Sequence, residues 1–201
     1  MSVSRLSRQS IQSGFPKQQS IWDGLTQPSA MDALGAVTVT SAVSNVVFSS
    51  IPSTYTHLQL RVSGRDARAS SVDDALFMYF NTDNTAHYTA HGLYGYNGSA
   101  STDYRTNQTG AYNVRVTAAT APSSLMGSGI VDILDYTNVN KYKTIRTLSG
   151  YDNNGTGDVE FYSAMWIGSS GTPADVVSTI TIWGPNGNIQ PNSSLALYGI
   201  K

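Results

Sequence analysis

The chain contains no cysteine. That excludes a thiol nucleophile, a cysteine-ligated zinc site and a disulfide framework, and it leaves the redox compartment open. Charge is also scarce. Asp, Glu, Lys and Arg make up 12% of the 201 residues, against roughly 25% in an average globular domain. Glutamate occurs once, at Glu160. Soluble helices keep their outer face wet with Glu and Lys, so the shortage argues against a helical protein. No stretch approaches about 18 consecutive apolar residues, so no membrane helix is expected. The polar opening Met1 to Arg8 lacks the apolar core of a secretory leader, so a protein without a signal peptide is expected. The net charge of −1 and the scattered basic residues argue against a nucleic-acid interface.

Ser, Thr, Asn, Gly and Tyr take the place of the missing charges. Their hydroxyls and amides hydrate a surface without charge, a composition common among extracellular and particle-surface β proteins. The length suits one domain with a sizeable core of its own, so neither disulfides nor metals are needed for stability.

From Leu34 onward the strand signals are dense. Leu58, Leu60 and Val62 alternate with Gln59, Arg61 and Ser63, the pattern of a half-buried strand. Ala75 to Phe80 is a continuous apolar run suited to a strand covered on both faces. Further strand signals lie at Val37–Thr40, Val46–Phe48, Val114–Val116, Ile130–Leu134, Tyr142–Leu148, Val159–Trp166, Ile180–Ile182 and Leu195–Leu197. Asn97-Gly98, Asn154-Gly155 and Asn186-Gly187 predict tight hairpin turns. The expected fold is an all-β sandwich over 31–201, jelly-roll-like, with about ten strands. Residues 82–110 read as a long insertion or a weak strand pair.

Residues 1–30 read differently. Leu6, Ile11, Phe15, Ile21, Trp22 and Leu25 are isolated, and Gly14, Pro16, Gly24 and Pro28 interrupt any regular element. Arg5, Arg8 and Lys17 outnumber Asp23. The expectation is an extended docking arm that holds a partner through Phe15, Ile21 and Trp22 and is steered to it by Arg5, Arg8 and Lys17. The alternative is an arm packed along its own domain.

No catalytic constellation stands out. His87 and His91 have the i, i+4 spacing of two zinc ligands, but Tyr88 occupies the place of the zinc-protease glutamate. Asp73-Asp74 and Asp132 with Asp135 are the candidate carboxylate pairs for sugar hydrolysis, and turn or strand-end roles explain them better. Asp152 to Asp158 alternates oxygen ligands as a calcium loop does, yet it contains a hairpin signal and lacks the closing glutamate. No nucleophile elbow, phosphate loop or dinucleotide fingerprint is present. We therefore expect no enzyme, no cofactor and no metal site. Tyr88, Tyr94, Tyr96, Tyr104 and Tyr112 cluster among Gly, Asn, Ser and Thr. Rigid amphipathic rings with short polar neighbours suit an adaptable binding surface, and Tyr88, Tyr94, Tyr96 and Tyr104 are its candidates. The competing reading gives half of these rings to the core.

Several segments resemble a known group. They are Ser50-Ile51-Pro52-Ser53-Thr54-Tyr55-Thr56-His57-Leu58-Gln59-Leu60, then Asp132 to Thr144, then Ser149-Gly150-Tyr151-Asp152, and the ending Leu197-Tyr198-Gly199-Ile200-Lys201. Together with the opening Ser7 to Pro16, they resemble small structural proteins of tailed bacteriophages from marine and freshwater bacteria. The resemblance implies a virion protein on tail or head, assembled in the host cytoplasm and displayed on the particle surface. It carries over no functional residue. Three functions follow as expectations: a tail-fibre or host-attachment protein, a capsid decoration protein, or, remotely, a particle-borne glycan hydrolase. The implied partners are other virion proteins and a host surface glycan, with no membrane contact. Virion symmetry favours a homo-oligomer, and a trimer is a common form for such parts.

Overall fold

The structure, a computed structural model, describes residues 30–201. The expected arm with Arg5, Arg8, Phe15, Lys17, Ile21 and Trp22 lies outside the described residues. Twelve strands and no helix occur among the described residues. They are β1 (Met31–Thr38), β2 (Asn45–Phe48), β3 (His57–Gly64), β4 (Asp73–Phe80), β5 (Tyr88–Tyr96) and β6 (Ser99–Gln108). The second half supplies β7 (Ala111–Thr117), β8 (Gly127–Leu134), β9 (Lys143–Asp152), β10 (Gly157–Trp166), β11 (Ile180–Trp183) and β12 (Ser194–Ile200).

Two sheets result. The large one has the order β1-β12-β3-β8-β9-β10-β5-β6, the small one β2-β11-β4-β7. Every ladder between named strands is antiparallel. One regularity governs the order. With β1, β9, β10 and β12 set aside, the eight remaining strands pair first with last (β2 and β11) and second with seventh (β3 and β8). Third then pairs with sixth (β4 and β7), and fourth with fifth (β5 and β6). Successive pairs fall in alternating sheets, as a long antiparallel ribbon does when rolled around a core.

The core forms between the sheets because the alternation is strict. Leu58, Leu60 and Val62 are buried, and so are Val131 and Ile133 on β8 and Leu195 and Leu197 on β12. Each such side chain contributes about 1.5–3 kcal/mol by leaving water. Aromatic contacts tie the layers. Phe80 of the small sheet meets Trp166 of the large one edge-on at 5.3 Å, and Tyr112 stacks on Tyr162 at 4.3 Å.

The expectation of about ten strands becomes twelve because residues 82–110 form a regular hairpin of β5 and β6. Its turn is Asn97-Gly98, with φ of 48° and 82°, the double positive φ of a tight two-residue turn. Asn154-Gly155 turns β9 into β10 with φ of 45° and 115°. Asn186-Gly187 does something else. It lies in the connection from β11 to β12, and neither residue has positive φ. A Cβ at Gly187 would stand 2.6 Å from the backbone nitrogen of Arg68, so glycine is required there by close packing. Asn186 donates its amide to Asp74.

Candidate functional site

Tyr88 does not belong to any binding surface. It is fully buried, its hydroxyl accepts the Phe80 N–H at 2.8 Å and donates to the Asp83 carbonyl at 3.0 Å, and its ring stacks on Trp166. Burial puts its pKa far above that of an ordinary phenol. The other three candidates differ. Tyr94 is half-buried, Tyr96 is 41% exposed, and Tyr104 is 72% exposed and stacks against His91. Tyr88→Phe is expected to cost about 1–3 kcal/mol, because a buried N–H loses its acceptor. Tyr104→Ala should stay within about 0.5 kcal/mol. Urea unfolding of both variants checks the contrast, and equal costs would contradict it.

The histidines do not converge. His91 points outward from β5 beside Tyr104. His87 precedes β5, and its Nδ1 lies 2.9 Å from Asp83 Oδ2. Asp83 is nearly buried and also receives hydrogen bonds from Trp166 Nε1 at 2.7 Å, the Thr85 amide and the Thr85 hydroxyl. Burial alone would raise its pKa, but the donors from Thr85, Trp166 and His87 prevail and hold it below the usual value. The pair resembles an oriented base. However, the only hydroxyl bonded to the His87 ring among the described residues is that of Thr85, and it sits on the same Nδ1. The arrangement locks the turn between β4 and β5.

A polar cluster lies between the sheets around Arg115 of β7. Its guanidinium bonds Glu160 Oε1, through Nε at 2.9 Å and through Nη2. It also lies 3.3 Å from Asp158 and 3.8 Å from Asp73. Tyr112 donates to the same glutamate oxygen at 3.1 Å, and Tyr151 donates to Asp73 at 3.2 Å. Three carboxylates thus surround one cation. Asp158 Oδ1 and Glu160 Oε2 receive no hydrogen bond among the described residues. Burial, then repulsion from Glu160, pushes Asp158 up to about 6. The group is closed to substrate, since Glu160 and Asp158 are 0% and 4% exposed.

The remaining acids are also engaged. Asp66 is buried and pushed up to about 6, chiefly by desolvation. Asp74 bonds Arg68 and Asn186. Asp132 accepts from Gln59 at 2.9 Å, and Asp135 pairs with Lys141 at 2.7 Å. Asp73-Asp74 is therefore split between separate clusters and does not form one acid–base pair. Asp152 accepts the Asn154 N–H at 2.9 Å within the β9–β10 hairpin, the turn role and not the calcium-loop role. No group of three or more His, Asp or Glu side chains among the described residues is placed to hold a metal ion.

The feature that sequence reasoning missed is the outer face of the large sheet. The registers place three rows side by side across β3, β8, β9, β10, β5 and β6. The central row runs Arg61, Ile130, Leu148, Phe161, Leu93 and Thr102. A polar row on one side runs Gln59, Asp132, Arg146, Ser163, His91 and Tyr104. On the other side runs a row of mostly small residues: Ser63, Ser128, Gly150, Val159, Gly95 and Ala100. Leu148 and Leu93 are 56% exposed, Val159 63%, Phe161 45% and Ile130 42%. Isolated exposed apolar residues are ordinary, but a contiguous patch marks a contact surface. A shallow depression of about 640 Å³ lies over this face, bounded by Arg61, Ile130, Leu148, Gly150, Tyr151 and Val159 among others.

No family model, curated protein or solved structure matches the chain.

Proposed function

We propose that this chain is a non-catalytic structural protein of a tailed-phage virion surface, of the tail-fibre or host-attachment type. The observation that carries the reading is the in-register apolar row Ile130, Leu148, Phe161 and Leu93 on the outer face. Such a face serves assembly. The strand order supports the same reading. A rolled ribbon that pairs first with last and alternates between sheets is the jelly-roll scheme, found in capsid and lectin domains. Here β9–β10 is inserted into one sheet, and β1 and β12 are added at its edge.

In this reading residues 1–30 anchor the protein to the particle. The exposed ring of Tyr104, stacked on His91 on the outer face, offers a host glycan a stacking surface beside Ser and Thr hydroxyls, whereas Tyr94 and Tyr96 pair with Glu160 and Asp158 and lie on the opposite face of the sheet. A second reading, capsid decoration, draws on the breadth of the outer face, which suits a clamp laid across neighbouring subunits. Glycan hydrolysis needs two carboxylates opposed across a cleft. Asp132 and Asp135 are instead tied to Gln59 and Lys141.

Deletion of residues 1–28 tests the anchoring. The expected result is a soluble domain with nearly unchanged melting temperature that is missing from purified particles. A truncated protein that unfolds, or that still joins the particle at normal copy number, contradicts it.

A further inference from the structure

The outer face has an internal symmetry that selects its occupant. On this reading of the face as an assembly surface, we propose that it binds a second copy of the same chain. The two-fold axis runs parallel to the strands, between β9 and β10. Rotation about that axis reverses the strand order but keeps each row opposite itself. The apolar row then meets an apolar row, with Leu148 over the partner's Phe161 and Ile130 over the partner's Leu93. Val159, the bulkiest side chain of the small row, lies over the partner's Gly150. Asp132 of the polar row faces the partner's His91, a pairing of complementary groups. Arg61 lies over the partner's Thr102, so no like charges meet.

The other in-plane two-fold, along the central row, keeps apolar on apolar as well. It sets Arg61 against the partner's Arg61, however, and a like-charge contact at an interface is strongly unfavourable. It also lays the charged side chain of Arg146 of the partner subunit over Gly150, where the first axis places the apolar Val159. The axis parallel to the strands is therefore the one that the pattern favours.

The size is adequate. Six strands spaced by about 4.8 Å and three rows spaced by about 6.8 Å give a face of about 29 Å by 20 Å. Two such faces bury roughly 1,200 Å² together, just above the roughly 1,000 Å² that separates a specific contact from a chance one. Twisted sheets pack face to face with their strands within about 30° of each other, so the central contacts of Leu148, Phe161, Val159 and Gly150 survive the twist best. An isologous contact of this kind closes on itself. A reversible dimer is the expected product.

The test is sedimentation velocity on the full chain over a wide concentration range, followed by cysteine pairing. A monomer–dimer equilibrium is expected, weakened by about 30-fold or more in Leu148→Asp. The chain is free of cysteine, so single replacements report one contact each. Leu148→Cys mixed with Phe161→Cys should give a disulfide heterodimer faster than either variant alone gives a homodimer. Val47→Cys, exposed on the small sheet, should give little. A monomer at all concentrations, a trimer, or faster pairing of Leu148→Cys with itself overturns the proposal. A monomer whose Leu148→Asp variant still fails to join particles overturns the self-contact and keeps the assembly reading. A dimer absent from particles supports the self-contact and overturns the virion reading.

Discussion

Replacement of Arg115 by Met should destabilise the fold at pH 7 by about 3–5 kcal/mol, the usual cost of leaving buried charge without its partner. For a domain of this size that lowers the melting temperature by about 10–15 °C. The physical reason lies in the imbalance of the cluster. Arg115 is the one cation that meets Glu160, Asp158 and Asp73 among the described residues. Methionine fills much of its volume but leaves three acids between the sheets. Two of them are almost wholly buried. A second change separates lost charge balance from lost packing. Arg115→Met combined with Glu160→Gln and Asp158→Asn should recover most of the loss. Arg61→Met, on the exposed outer face, is the control and should change stability by about 0.5 kcal/mol or less. Thermal unfolding of the variants decides the matter. A single mutant as stable as the parent, or a triple mutant no better than the single, would contradict the account of the cluster.

Acidification should stabilise the protein. Asp66 and Asp158 are each pushed up to about 6, both mainly by burial, whereas unfolded aspartates titrate near 3.9. At pH 7 both states are ionised, and the folded state carries the full penalty of two buried charges. As the pH falls through about 6, the folded state takes up protons that the unfolded chain does not yet bind, so stability rises. The gain is complete near pH 4. Below that, Asp83 and Asp135 reverse the trend. Asp83 is held low by its donors against the opposing effect of burial, and Asp135 chiefly by its bond from Lys141. Their stabilisation is present above about pH 4 and is lost as the pH falls through their lowered values. The melting temperature should climb by about 5–10 °C between pH 7.5 and 4.5, then fall. Asp158→Asn should raise stability at pH 7.5 and flatten the climb. A melting temperature that falls steadily from pH 7.5 to 4.5 would show that these carboxyls are not held as described.

What the sequence made legible follows from which signals are local. Period-2 alternation and continuous apolar runs are both local, so β3, β8 and β12 could be read from Leu58, Ile130–Leu134 and Leu195–Leu197, and β4 from the run Ala75–Phe80. The turns at Asn97-Gly98 and Asn154-Gly155 could be read for the same reason. Asn186-Gly187 misled because the glycine answers to the backbone at Arg68, a contact from more than a hundred residues away. Residues 82–110 looked weak because β6 is mostly hydroxyl and amide side chains, an edge strand with little to bury. Tyr88 was grouped with Tyr104 by composition. The phase of β5 against the core separates them, and composition carries no phase. The outer row was invisible because Ile130, Leu148, Phe161 and Leu93 come from four strands. Only the cross-strand register makes them neighbours. Arg115 sits between Val114 and Val116 as an alternating polar position, and Asp158 ends the stretch that resembles a calcium loop, so nothing local joins them to Glu160 until the two sheets close over them.

The large outer face is where the account is most exposed to refutation, because its in-register apolar row is the observation that carries the proposed function. Electron cryomicroscopy of purified particles carrying the full chain tests it directly. The account predicts the sandwich on the particle surface, with Leu148, Phe161 and Leu93 covered by another protein chain. Particles that lack the protein, or that carry it with this face open to solvent, would contradict it.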